Sequence, residues 1–298
     1  MDSLSAARAQ MAVSLGFHMI FAALGIGMPL LMVLAEGLWL QTGQEHYRAL
    51  ARKWGKATAL LFAIGAISGT ALSFELVLLW PQFMERAGPI IGPAFALEAY
   101  AFFIEAIFIG LYLYGWDRLS RRAHWWTGVP VALSGVTSGV LVLAVNAWTQ
   151  DPPGLVNRQI TTEGGPLAPF LSPAWVPMAI HSTLSCYVAV GYAVAGVYVF
   201  GMLRGRRDAY HRSALNLALA VGSINAVLQL ISGDLRGRHV ARSQPIKLAA
   251  MEALFKTQAR APLVIGGIPN EKTGEVNAAI TIPGGPSFLV AHDPEAVI

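Results

Sequence analysis

Cysteine is almost absent. The 298-residue chain has one, Cys186, inside an apolar run, which excludes a disulfide framework and a cysteine metal cluster. Charge is scarce too: Asp, Glu, Lys and Arg make up 13% of the residues, about half the usual 25% of a soluble domain. There is no Walker loop, dinucleotide fingerprint, HExxH or nucleophile elbow, so the sequence offers no grounds for nucleotide, zinc-protease or hydrolase chemistry. No segment has the composition of an independent soluble domain. The first apolar stretch carries no small-residue cleavage site, so a cleavable signal is not expected.

What the chain has instead is apolar sequence in long runs. Hydrophobic residues are 55% of it and the mean hydropathy is +0.52. About 20 apolar residues cross a hydrocarbon core of about 30 Å. Runs of that length lie at about 11–36, 57–80, 95–116, 127–148, 174–201 and 213–232. The expected fold is all-α, a polytopic transmembrane helical bundle with six predicted spans. Residues 1–10 are expected to be an interfacial turn or helix, and Pro29 a kink in the first span. Segment 245–257 reads as a short helix opened by Pro245. The tail 262–298 is polar, rich in Gly and Pro, and has no membrane run. Two regions follow: a six-span bundle over 1–232, and an external segment over 233–298.

The connections carry the topology signal. Linkers 41–56, 117–126 and 202–212 have net charges of +3, +2 and +3, whereas loops 81–92 and 149–172 have 0 and −1. Basic linkers face the cytoplasm, which puts the N-terminus and residues 233–298 on the outer side. The net charge of +4 thus reports topology, and nucleic acid is not an expected partner.

A few polar residues inside the runs could carry chemistry. Glu98 and Glu105 lie seven residues apart in FALEAYAFFIEAIFIGLYLYGW, on one helix face and about 10.5 Å apart along the axis. A carboxylate at that depth costs several kcal/mol unless it meets protein, water or a cofactor. The pair is either interhelical glue or a proton or ligand route. His18, beside Gly16 in the first span, and His181 in the fifth can be polar helix contacts or can ligate haem iron. With no CxxCH, any haem is held without thioether links. The remaining histidines (His46, His124, His211, His239 and His292) fall in linkers or outer loops and read as surface residues. Ser68 and Gly69 suit close helix packing, and the Gly spacing in GSINAVLQLISG is a packing feature. Lys247 and Glu252 flank an apolar stretch just outside the membrane. They are either snorkelling charges on an interfacial helix or a polar pair at the rim of a lipid-accessible pocket.

Taken together, ARAQMAVSLGFHMIF, FALEAYAFFIEAIFIGLYLYGWDRLS, VNAWTQDPPG and QPIKLAAMEALFKTQ followed by PNEKTGEV resemble subunit I of the cytochrome bd-type quinol oxidases, over essentially the whole chain. The resemblance implies a terminal oxidase of a bacterial or archaeal cytoplasmic membrane that oxidises ubiquinol or menaquinol and reduces dioxygen to water, contributing to the proton gradient. It implies a low-spin haem b, a high-spin haem b and a haem d or second high-spin haem b. By position, His18 matches an axial ligand of the high-spin pair and His181 a ligand of the low-spin haem. Glu98 and Glu105 match an acidic pair associated with proton delivery, and Lys247 and Glu252 match quinol-associated residues. The implied partners are subunit II, a small single-span subunit and the lipid bilayer. A complete member of the family is expected to have nine spans. The methionine completing the low-spin site and the acidic ligand of the second high-spin haem are then expected beyond residue 298. The chain reads as an N-terminal portion, a fragment or truncated product whose external quinol loop breaks off. The competing readings are a non-redox transporter or scaffold in which the acids carry protons, and an inactive truncated product.

Overall fold

In the computed structural model each apolar run lies on one long helix. The structure describes residues 2–153, 155–156, 159–160 and 165–298. Helix α1 covers Ser3–Thr42, α2 Glu45–Leu79, α3 Pro81–Gly115 and α4 Arg121–Gln150. A two-residue ladder, β1 (Leu155–Val156) with β2 (Gln159–Ile160), and a short helix α5 (Ala168–Leu171) precede α6 (Trp175–Leu203) and α7 (Ala209–Ser243). Then come α8 (Pro245–Met251), strands β3 (Leu263–Asn270) and β4 (Glu275–Ile282), and α9 (Gly285–Ala291). Six helices, α1 to α4, α6 and α7, are long and apolar enough to cross a membrane. The Pro/Gly-rich loop expected over 149–172 lies partly outside the described residues, at 154, 157–158 and 161–164.

The helices outrun the apolar runs. At 1.5 Å per residue, the 40 residues of α1 extend about 60 Å, twice the hydrocarbon core. Residues 3–10 belong to α1, whose start is capped by the Asp2 carboxylate accepting from the Ser5 amide at 2.7 Å. Pro29 lies inside this continuous helix. Only Gly43 and Gln44 separate α1 from α2, and Gly43 takes the left-handed φ of 69° that such a helix stop requires.

The expected loop over 81–92 is helix. Pro81 occupies the first turn of α3, where its missing N–H costs nothing. Pro89 and Pro93 lie inside it. Trp80 alone joins α2 to α3. Its amide closes α2 on the Leu76 carbonyl at 3.3 Å, and its carbonyl accepts from Met84 in the first turn of α3 at 3.0 Å. Asp208 caps α7 by accepting from the His211 amide at 2.9 Å. His211 hydrogen bonds to that carboxylate hold the Asp208 carboxyl below the ordinary carboxylate range.

Two compact units result. The first comprises Met1–Trp175 and Ser182–Leu228. Within it α1 packs on α2 and α4, and α3 on α4 and α2. Its core gathers Leu31, Met32, Leu50, Trp54, Tyr112, Val131 and Val190. Trp54 donates to the Tyr198 hydroxyl at 3.1 Å, tying α2 to α6. Helices α6 and α7 cross closely at two glycines. A Cβ on Gly191 would sit 2.5 Å from the Gly222 Cα, so the two backbones touch.

The second unit comprises Val176–His181 and Gln229–Ile298. Its polar, Gly- and Pro-rich tail contains a hairpin: β3 and β4 pair antiparallel with Leu263 opposite Ile282. Ser287 is fully buried, accepting from the Ala261 amide at 3.0 Å and donating to the Ala296 carbonyl at 2.7 Å. The expected helix over 245–257 ends at Met251, because Ala253 turns left-handed (φ 52°) and the Leu254 amide closes back on the Ala249 carbonyl at 2.8 Å.

The Gly191 contact predicts that Gly191→Ala costs about 1–3 kcal/mol through overpacking, because backbone, not a flexible side-chain tip, opposes the new methyl. A lowered thermal midpoint of the detergent-solubilised protein is the expected result; an unchanged midpoint contradicts the contact.

Candidate functional site

His18 faces α2. Its Nδ1 lies 2.9 Å from the Ser68 hydroxyl. That hydroxyl is also 2.9 Å from the Ile64 carbonyl and 3.1 Å from the Gly65 carbonyl of its own helix. Gly69 leaves room for the ring, since a Cβ there would come within 3.0 Å of the His18 Cε1. One turn earlier on α1, Ser14 donates to Glu75 at 2.7 Å and Gln10 donates to the same oxygen at 3.2 Å. The other Glu75 oxygen is buried without a hydrogen bond.

In the second unit His181 has comparable surroundings. Its Nδ1 lies 3.0 Å from the Ser232 hydroxyl, which donates to the Gln229 carbonyl at 3.1 Å. Gly233 lies against the ring edge, with 3.4 Å between a Cβ built there and the His181 Cε1. The Gln229 side-chain amide donates to Nε2 at 3.0 Å.

The two carboxylates of α3 share one face, as their spacing requires. Glu105 is 4% exposed. Its oxygens lie over Gly135 of α4, where a Cβ would come within 3.5 Å of both, beside the Gly25 carbonyl of α1. Glu98 accepts from Ser138 of α4 at 2.9 Å. The hydroxyls of α4 divide their partners: Ser138 serves Glu98, while Ser134 and Thr137 bond carbonyls of their own helix. The opposite face of α3 exposes Tyr100, Phe103, Ile107, Leu111 and Tyr114, apolar side chains suited to lipid or a neighbouring helix.

Lys247 lies on α8 and Glu252 is the residue that ends it. Burial and the nearby Arg236 charge lower the Lys247 ammonium, and burial raises the Glu252 carboxyl. Beside them is a groove of about 400 Å³ lined by Ala241, Ile246, Leu248, Ala249, Leu254 and Phe255, among others. Its size falls in the usual range for small-molecule sites. Apolar neighbours of the two charged residues line it.

The residues that sequence reasoning missed are at the basic end of the first unit. His124, expected at the surface because it falls in a linker, is 2% exposed. Its Nδ1 lies 2.7 Å from Glu36 and its Nε2 2.8 Å from the Tyr112 carbonyl. Glu36 is fully buried, and its second oxygen and the buried Tyr112 hydroxyl have no hydrogen bond. Around them, Arg48 and Arg121 lie over Trp39 at 5.2 and 4.9 Å, and Arg52 lies over Trp116 at 5.2 Å. Glu36 and His124 are 88 positions apart, so no local pattern links them. The one available signal was a glutamate closing an apolar run.

Comparison with known proteins assigns the family. The model of the family described as Cytochrome bd terminal oxidase subunit I matches residues 6–298. The chain belongs to that family. A Bacillus subtilis (strain 168) protein provisionally named cytochrome bd menaquinol oxidase subunit I is 38% identical over 304 residues, covering 100% of this chain and 68% of the relative. The Escherichia coli (strain K12) cytochrome bd-II ubiquinol oxidase subunit 1 is 31% identical over 302 residues, covering 98% of this chain and 58% of the relative. The solved bd oxidase from Geobacillus thermodenitrificans superposes with a TM-score of 0.93 at 35% identity, over 100% of this chain and 69% of that one. The chain thus spans 58% to 69% of the length of these relatives. The relatives place it among the quinol:oxygen oxidoreductases of the cytoplasmic membrane, as a multi-pass, haem-family subunit.

The donor set fits haem. Among the described residues no three His, Cys, Asp or Glu side chains gather to hold a metal ion. A porphyrin brings four nitrogens of its own, so one well-held imidazole is a sufficient contribution from these residues to each site. Both histidines are held at Nδ1, so Nε2 is the atom each could offer to iron; at His181 the Gln229 amide, now 3.0 Å from Nε2, would have to give way to it.

His124 supplies the prediction here. His124→Ala strands a fully buried carboxyl and should cost on the order of 3 kcal/mol, read as a lower thermal midpoint. His124→Gln, which can still donate to Glu36, should recover part of it. Equal stability of all three proteins would contradict the pairing.

Proposed function

We propose that this chain is the N-terminal, haem-carrying part of subunit I of a bd-type terminal oxidase, with 1–232 as its membrane bundle and 233–298 as the start of the external quinol segment. The observation that carries this reading is whole-length similarity to a solved bd oxidase on a chain whose bilayer segments hold two serine-bonded histidines and two in-line carboxylates. Basic collars at one end of the bundle favour that end as cytoplasmic, with the N-terminus and residues 233–298 outside. The complete protein would oxidise ubiquinol or menaquinol, reduce dioxygen to water, and work with a subunit II and a small single-span subunit.

His181 would hold the low-spin haem b. His18 would hold one of the high-spin pair, a haem b with a haem d or a second haem b. When bound, these groups supply one-electron transfer and the oxygen-binding iron. The chain's own residues do the rest. At the outer rim, Glu252 takes the proton a quinol hydroxyl loses on oxidation. Lys247 orients the ring oxygen, and the apolar groove beside them receives the ring. Glu105 and Glu98 hold protons in line on α3 and pass them toward the site of oxygen reduction. Protons are taken up from inside and released outside, which separates charge across the membrane.

In the complete oxidase, reduced-minus-oxidised spectra test the ligands. His181→Ala should remove the low-spin bands, and His18→Ala should remove or disorder one high-spin haem while the low-spin bands persist. Full haem content in both variants sinks the assignment.

The quinol residues are tested by two electron donors. Lys247→Ala and Glu252→Ala should lower oxygen uptake driven by quinol while sparing uptake driven by a small artificial donor. Equal losses with both donors would point to a folding defect. Because burial raises the Glu252 carboxyl and only its ionised form accepts a proton, quinol-driven turnover should fall as pH drops through that raised value. Glu252→Gln should abolish this acid limb.

A further inference from the structure

Two distant stretches of the sequence carry one tripeptide, Ile67-Ser68-Gly69 and Ile231-Ser232-Gly233. Each lies on a long helix, and each is set against one of the two histidines discussed above. The serine meets Nδ1 and the glycine meets the ring edge at Cε1. We propose that Ser68 and Ser232 are positioning residues that fix His18 and His181 in the Nδ1–H tautomer and so present Nε2 to iron. The inference rests on the reading of both histidines as haem ligands and adds to it the residues that make them so.

A serine hydroxyl has one proton and two lone pairs. Ser68 has two carbonyls of its own helix in reach, at 2.9 and 3.1 Å, and Ser232 has one at 3.1 Å. The proton goes to a carbonyl, as helical serines favour. What remains is a lone pair, so Nδ1 must bring the hydrogen. At His181 a second contact gives the same tautomer, since Nε2 faces the Gln229 amide nitrogen, a donor, and must itself accept; iron bound at Nε2 would displace that amide. The Nε2 of His18 makes no hydrogen bond among the described residues. Each ring therefore has its lone pair on Nε2, and each glycine leaves room for the Cε1 edge of the ring against the helix that holds it. A Cβ at Gly69 would press on the imidazole at 3.0 Å.

Donation from Nδ1–H to a fixed acceptor has two effects on a ligating imidazole. It locks ring rotation and tautomer, and it makes Nε2 more basic. A more basic ligand favours the ferric over the ferrous state. Loss of the acceptor therefore weakens haem binding and raises the potential. Outer partners of this kind are typically worth roughly ten- to hundred-fold in affinity or activity.

The test uses the complete, assembled oxidase. Ser232→Ala should shift the midpoint potential of the low-spin haem upward and speed haem loss on dilution by about ten-fold or more. Ser68→Ala should lower the iron–histidine stretching frequency of the high-spin site in resonance Raman spectra. Ser232→Thr and Ser68→Thr, which keep the hydroxyl, should restore both signatures. Unshifted potential and frequency in the alanine variants, at full haem content, overturn the proposal. So does a shift that threonine does not reverse, because packing alone would then explain it. His18→Ala and His181→Ala separate the two layers of the argument. If they keep their haems, the ligand reading fails; if they lose them while the serine variants behave as wild type, only the positioning role fails.

Discussion

A polar side chain in a hydrocarbon layer has no water to fall back on, and its partner must come from a neighbouring helix. That constraint governs the interior of this protein. Ser14 answers Glu75, Ser68 answers His18, and Ser138 answers Glu98. His124 answers Glu36, and Ser232 answers His181. Four of the five partners are serines, the smallest side chain that can accept or donate without holding two helices apart. Each contact sets the rotation and depth of one helix against another, because a slip of one residue would turn the polar atom toward lipid. Glycine does the complementary work. At Gly135 and Gly69 it clears space for a carboxylate and an imidazole, so the functional group lies against backbone instead of being pushed outward.

The six spans were legible because a run of about 20 apolar residues has few alternatives to a membrane helix. The co-facial placement of Glu98 and Glu105 was legible for an equally simple reason, a separation of two helical turns. The failures share a cause: local composition was read where tertiary contacts decide. Residues 81–92, between two apolar runs, were read as a loop, yet they are helix: proline is at home in a first helical turn and tolerated further in when neighbouring helices pack around it. His124 was placed in a linker and looked solvated, but it belongs to a buried pair whose other half lies on α1. Lys247 and Glu252 were placed on one helix, which stops between them at Met251. Ser68 and Gly69 were read as packing residues. Their second task was written in a repeated tripeptide, which acquires meaning only when a histidine is found opposite each copy.

The junction at Trp80 couples α2 and α3 mechanically. It spends its amide on one helix and its carbonyl on the next, and Pro81 removes further freedom from the backbone. Two rods 35 residues long are hinged with no slack between them. Neither can slide along the membrane normal without dragging the other. Ser68 lies on one rod and Glu98 on the other, so the depth of the histidine's anchor and the depth of the first carboxylate behave as a single variable. A push on either helix end would move the imidazole contact and the proton-holding carboxylate together.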